Sequence, residues 1–174
     1  MASENRLQRI LIIGNGGAGK TWLSRMLGER LGLPVTHLDD IRWQPGHYGI
    51  ARDNAEVIED TRRLSEADRW LMEGVYGWLA NILLPRTDLL VWLDVPEAEC
   101  LDNIKIRGNQ GGATDESFAE LLDWVAGYRT RGGSSCHQMH LDLYEGFPGH
   151  KHRLPDRTSI GVFLAQMTAA DQLT

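Results

Sequence analysis

The chain has 174 residues, 42% of them hydrophobic, which suits one domain with a substantial core. A formal net charge of −6 and a pI near 5.5 exclude a broad electrostatic grip on nucleic acid or an anionic membrane, and the basic residues form no run. Cys100 and Cys136 lack metal-ligand spacing and read as reduced thiols of a cytoplasmic protein; no apolar stretch reaches membrane-spanning length, and the N-terminus has no signal-peptide pattern.

Arg9-Ile10-Leu11-Ile12-Ile13 is a β-branched apolar run and predicts a buried strand. Gly14-Asn15-Gly16-Gly17-Ala18-Gly19-Lys20-Thr21 follows and fits Gly-x-x-x-x-Gly-Lys-[Ser/Thr], the phosphate-binding P-loop. Leu23, Met26, Leu27 and Leu31 then recur at helical spacing. The glycines let the backbone curl round phosphate oxygens with its N–H groups inward, and the helix opening near Lys20 adds the positive end of its dipole. Lys20 is expected to bridge the β- and γ-phosphates of ATP, and the Thr21 hydroxyl to ligate Mg²⁺. The expected ATP-binding set is Gly14, Asn15, Gly16, Gly17, Ala18, Gly19, Lys20, Thr21 and the adjoining Trp22.

The helix should stop near Gly32, with Pro34 blocking continuation. Val35 to Leu38 reads as a second strand ending at Asp39-Asp40, and ligands of open parallel sheets collect at such strand ends. Asp39 should therefore face the crevice of the P-loop, unless the pair only caps or turns the chain. Residues 41–51 read as a loop whose Trp43 and Tyr48 either stack on a base or pin the loop. Asp53 is a candidate N-cap for a helix to about Asp68. A third strand, Arg69 to Met72, closes at Glu73-Gly74, and a short helix from Gly77 is stopped by Pro85. Leu89 to Leu93 is the most apolar run, a central fourth strand ending at Asp94, itself a candidate cap for the helix that Pro96 opens and that runs to Arg107-Gly108. Asn109 to Thr114, containing Gly111-Gly112, reads as a flexible loop. Asp115 could cap a helix reaching Tyr128, and Arg129 and Arg131 lie at its end, where cations also suit the dipole. A helix from Ser134 or Ser135 through Tyr144, a fifth strand from His150 to Leu154 and a last helix from Pro155-Asp156 complete the chain. Alternating strands and helices imply an α/β fold with a parallel sheet covered on both faces.

Several pieces together resemble the P-loop nucleotide kinases, and in particular the short adenylate-kinase-like proteins labelled DNA topology modulation proteins. They are Ile12 to Thr21, Leu33-Pro34-Val35-Thr36-His37-Leu38-Asp39, Trp43-Gln44-Pro45-Gly46, Arg69 to Tyr76, Leu93-Asp94-Val95-Pro96 and Gly127-Tyr128-Arg129. The resemblance implies a three-layer α/β/α P-loop domain over residues 1–174, a five-stranded parallel sheet in the order 2-3-1-4-5, and a short lid at about 108–133. It also implies ATP with Mg²⁺ and transfer of the γ-phosphoryl group to a nucleotide or nucleoside. Two positions depart from the pattern: Glu73-Gly74 stands where such kinases carry Asp-Gly, and Asn103 replaces the first of an arginine pair whose second member is matched by Arg107.

On this reading Lys20, Arg107 and Arg129 (or Arg131) neutralise the transferring phosphoryl, and Asp39 contacts or deprotonates the acceptor. Arg42 and Arg52 could hold an acceptor phosphate, Tyr76 lines the acceptor side, and Thr21 and Glu73 serve the metal. Two alternatives stand beside it: a kinase of small metabolites, like shikimate or gluconate kinases, and a nucleotide-binding regulator with little turnover. A negative acceptor pocket with few aromatics favours the small metabolite; Trp43, Tyr48 and Tyr76 favour a base. No direct contact with nucleic acid or membrane is expected.

Overall fold

The computed structural model describes residues 7–109 and 113–171, without the side chains of Tyr48 and residues 168–171. In chain order it runs β1 (Arg9–Gly14), α1 (Lys20–Leu31), β2 (Val35–His37), α2 (Leu38–Arg42), β3 (Trp43–Gln44), β4 (His47–Ala51) and α3 (Asn54–Ser65). It continues with β5 (Trp70–Gly74), α4 (Gly77–Leu83), a 3₁₀ turn (Leu84–Arg86), β6 (Leu89–Leu93), α5 (Glu97–Arg107), α6 (Asp115–Ala126), α7 (His137–Gly146), β7 (His150–Leu154) and α8 (Arg157–Asp171). Five strands form one parallel sheet in the order β2-β5-β1-β6-β7, which is the expected 2-3-1-4-5 once the two hairpin strands are set aside.

Helices cover both faces, so the central strands are apolar throughout rather than alternating. Ile10 and Ile12 of β1 pack with Val91 and Leu93 of β6 beneath α1, α5, α6 and α8. Leu11 and Ile13 pack with Leu90 and Trp92 beneath α2, α3, α4 and α7. At the entry to the sheet the Asp88 carboxylate accepts the Gln8 and Arg9 N–H groups at 3.1 and 2.9 Å and is gripped by the Arg9 guanidinium at 2.8 Å, which sets β1 against β6. Burial pulls the Asp88 carboxyl upward, but Arg9 and these two N–H groups outweigh it and hold the carboxyl below its ordinary value.

Four local expectations are corrected. Residues 41–51 are not an irregular loop but a β-hairpin, turned at Pro45-Gly46, where Gly46 takes φ +74 as the third residue of a Pro-Gly turn. Asp39 and Asp40 lie in the first turn of α2 rather than on the strand end, because β2 stops at His37. Thr114, not Asp115, caps α6, its hydroxyl accepting the Ser117 N–H at 3.1 Å. Asp94 caps no helix: Pro96 holds the N-cap of α5 without a side-chain bond, and Asp94 is buried elsewhere among cations. Asp53 does cap α3, through the N–H groups of Ala55 and Glu56.

Candidate active site

β1 ends at the centre of the sheet and its chain turns straight into α1, which puts the glycine loop at the carboxyl edge, between the ends of β5 and β6. A methyl group on Gly17 would stand 2.4 Å from the Cys100 carbonyl oxygen, and its φ is +76, so glycine is required there on both counts. The loop is anchored from outside. Asn15, fully buried, donates from Nδ2 to the Val125 carbonyl at 3.0 Å and accepts the Gly16 N–H on Oδ1 at 2.9 Å. Asn103 donates to the Gly17 carbonyl at 2.9 Å and accepts from Arg157, which also pairs with Glu99. Asn103 therefore buttresses the phosphate loop. The Lys20 ammonium rests on the Asn15 carbonyl at 2.7 Å. Trp22, on the first turn of α1, is 53% exposed.

Register brings the acids to the same edge. Glu73 of β5 pairs with Ile12 on one side and His37 on the other. Its buried carboxylate accepts the Thr21 hydroxyl at 3.1 Å and His37 Nδ1 at 2.7 Å, both on Oε1. The glycine cradle, Lys20, and a hydroxyl joined to a carboxylate suit a triphosphate with Mg²⁺: Thr21 would ligate the ion directly and Glu73 hold one of its waters. Among the described residues no three or more His, Cys, Asp and Glu come together as a protein-only metal site. Asp39 is exposed and accepts the Tyr76 hydroxyl at 2.5 Å. Asp39 and Asp40, with Trp43 and His47 of the hairpin, line an open groove of about 440 Å³.

The arginines divide sharply. Arg42 lies over the Trp43 and Trp78 rings and donates to Asn54 and the Arg52 carbonyl. Arg52 is paired with Asp60 at 2.8 Å and Glu56 at 3.7 Å and donates to the Ile41 carbonyl. Both thus brace α2, the hairpin and α3. Arg129 is closed between Asp94 at 2.8 Å and Glu97 at 2.5 Å. Arg153 holds the other Asp94 oxygen at 2.6 Å, and His137 Nε2 stands 3.1 Å from Asp94 without hydrogen-bond alignment. Arg107 ends α5 on the exposed surface. Of the lid, α6 lies against the P-loop through Val125, while the hinge pair Gly111-Gly112 falls outside the described residues.

Beneath the site runs a buried chain of hydrogen bonds. Trp92 Nε1 donates to the Tyr128 hydroxyl at 3.1 Å, which donates to His140 Nδ1 at 2.6 Å, while His140 Nε2 donates to the Val75 carbonyl at 2.8 Å. Every polar atom in the series is used. Burial pushes the Tyr128 hydroxyl well above the ordinary tyrosine range and His140 down to about 4. His37, His140 and Asn103 were absent from the expected site, and only the sheet register and the packing of α5 and α7 reveal them.

No protein-family model matches the chain. A shikimate kinase of Symbiobacterium thermophilum is 29% identical over a stretch covering 57% of this chain and 64% of the relative, so the chain spans somewhat less than two thirds of that protein's length. Among solved structures, a shikimate kinase from Bacteroides thetaiotaomicron aligns with a TM-score of 0.56 at 18% identity, covering 95% of this chain and 99% of the other. A gluconokinase from Sinorhizobium meliloti aligns at 0.53 with 12% identity, covering 97% of each. The chain has the three-layer α/β fold of P-loop kinases, with phosphate loop, α1 and parallel sheet in the order those proteins share.

Proposed function

We propose that this chain is an ATP-dependent phosphotransferase whose acceptor is a small hydroxylated metabolite. One observation carries the reading: the P-loop residues Lys20 and Thr21, the carboxylate of Glu73 and the Asp39–Tyr76 pair share one edge of the sheet. ATP would lie with its phosphates in the glycine cradle, and Mg²⁺, when bound, offsets their charge. Asp39, oriented by Tyr76, would accept the proton of the acceptor hydroxyl. The shikimate-kinase relative supports a small acceptor, and so does the groove, which carries two carboxylates while Arg42 and Arg52 are engaged within the fold. A nucleoside acceptor is the second reading, favoured by Trp43 in the wall of that groove; it corresponds to the adenylate-kinase-like resemblance, and the topology-modulation label adds no mechanism to it.

The test is ATP consumption measured across polyhydroxylated acids and sugars, nucleosides and nucleoside monophosphates. Turnover confined to the small hydroxylated compounds is expected. Turnover confined to nucleosides or nucleotides would replace the first reading with the second. Tight ATP binding with no turnover on any acceptor would leave a nucleotide-binding regulator.

A further inference from the structure

His37 stands where local chemistry asks for another residue. It ends β2 and is the N-cap of α2, a place where Ser, Thr, Asp or Asn usually turn their side chains onto the helix N–H groups; the His37 side chain makes no such bond. The sheet register turns it elsewhere. His37 is paired with Glu73 across the parallel β2–β5 ladder, so the two side chains leave the same face side by side. Nδ1 of His37 is 2.7 Å from Oε1 of Glu73 and donates to it, since a carboxylate only accepts. The His37 side chain is 31% exposed and that of Glu73 6%, so the ring is not there to fill the core. The Thr21 hydroxyl donates to the same Oε1 at 3.1 Å. Among the described residues Glu73 makes no other hydrogen bond, so Oε1 is held twice and Oε2 is engaged by nothing in the fold.

Glu73 carries one methylene more than the Asp expected after this strand, so its carboxylate has one more torsion to settle. A carboxylate that serves the water shell of an ion through Oε2 must be held by Oε1. Thr21 does not suffice for this, because its hydroxyl is itself the ligand expected of a P-loop. Resting on the phosphotransferase reading above, we infer that His37 is a positioning residue for the metal site: it fixes Oε1 of Glu73 and so leaves Oε2 for a water of the Mg²⁺ that accompanies the nucleotide. Partners of this kind act by orienting the group that meets the ion. The brace comes from a paired strand, which holds its direction better than a loop would. His37 also opens α2, the helix that bears Asp39, so one residue joins the carboxylate assigned to the ion to the helix of the carboxylate assigned to the acceptor.

Mn²⁺ takes the same octahedral oxygen shell as Mg²⁺, and its binding to the protein–ADP complex, read from the electron paramagnetic resonance of the free ion, probes the site without turnover. His37→Phe keeps a planar ring and removes the donor, whereas His37→Asn keeps an N–H near the place of Nδ1. His37→Phe should weaken Mn²⁺ binding about tenfold to hundredfold, the range for a lost partner of a metal-serving group, and His37→Asn should recover most of that. ADP affinity measured in EDTA should be unchanged in both. In the Glu73→Gln background, His37→Phe should have little further effect, because the carboxylate through which His37 acts is already gone. If His37→Phe does not fold, His37→Gln, which moves the donor to the place of Nε2, takes its part with the same expected loss. Wild-type Mn²⁺ affinity in that variant, an equal loss of ADP affinity without metal, or an undiminished effect in the Glu73→Gln background would overturn the assignment of His37. Failure of the wild type to bind ADP, with or without metal, would instead overturn the phosphotransferase reading itself, and this inference with it.

Discussion

Lys20 is half-buried at the opening of α1, and among the described residues its ammonium donates to the Asn15 carbonyl. Lys20→Ala is therefore expected to keep its thermal midpoint within a degree or two and to lose about 100-fold or more in ATP turnover, the scale of one lost electrostatic contact to the transition state; the two measurements together check it. Glu73 is different, because it is buried and already holds two hydrogen bonds. Glu73→Gln should raise the Mg²⁺ concentration needed for half-maximal turnover, and Glu73→Asp should be tolerated better; an unchanged Mg²⁺ titration in the Gln variant would make Glu73 a purely structural partner of Thr21 and His37. Arg129→Ala opens one side of a buried aspartate that Arg153 still covers, so its cost in chemical denaturation should lie between that of an exposed ion pair and a buried one, about 1–3 kcal/mol. At this scale the P-loop was legible because its chemistry is written in eight consecutive residues. The partners of Asp94 were not, because Arg153 lies 59 positions away and only the pairing of β6 with β7 brings it there.

Between elements, the phosphate loop is held as a wedge between α5 and α6: Asn103 grips it from one side and Val125 from the other. Gly17 is the point where the fit is closest, against the Cys100 carbonyl of α5. Gly17→Ala must push α5 aside or flatten the loop and also strain a left-handed backbone, so it should lower the thermal midpoint and weaken ATP binding together, in contrast to Lys20→Ala; differential scanning fluorimetry with and without ATP reads both. The order of elements could be read from the alternation of apolar runs with helical spacing, and the parallel strands fell within a residue or two of expectation. The hairpin of β3 and β4 escaped because β3 is only two residues long and its aromatic and glycine content masks the alternation, although the Pro45-Gly46 turn was visible in the sequence. The expected position of the acids survived only in part: Glu73 does end a strand, whereas Asp39 reaches the edge from the first turn of α2.

For the molecule as a whole, the Trp92–Tyr128–His140–Val75 chain ties β6, the segment after α6, α7 and the end of β5 into one buried unit. It also makes stability depend on pH. Above the ordinary histidine value of 6.5, His140 is neutral in both folded and unfolded chains and its contribution is complete; between 6.5 and about 4 only the unfolded chain takes up the proton, so stability falls as the pH falls. The loss approaches about 3 kcal/mol at the acid end, and urea titrations at intervals from pH 7 to pH 4 should show it, with the dependence reduced in His140→Gln. No such network is visible in a sequence, since each of its bonds joins residues from different elements and none follows from local propensity. The position of β1 has a further consequence, for the growing polypeptide on the ribosome. The strand that leads into the phosphate loop is made before its sheet neighbours β5 and β6, which end at residues 74 and 93, and the loop's outer anchor, Val125, is made later still. Until residue 74 is made, the nascent chain therefore carries β1 without a sheet partner and with its apolar residues Ile10 to Ile13 uncovered, and until α6 is made Asn15 lacks the Val125 carbonyl that anchors the phosphate loop; nucleotide can act as a folding template only for a chain that already includes α6.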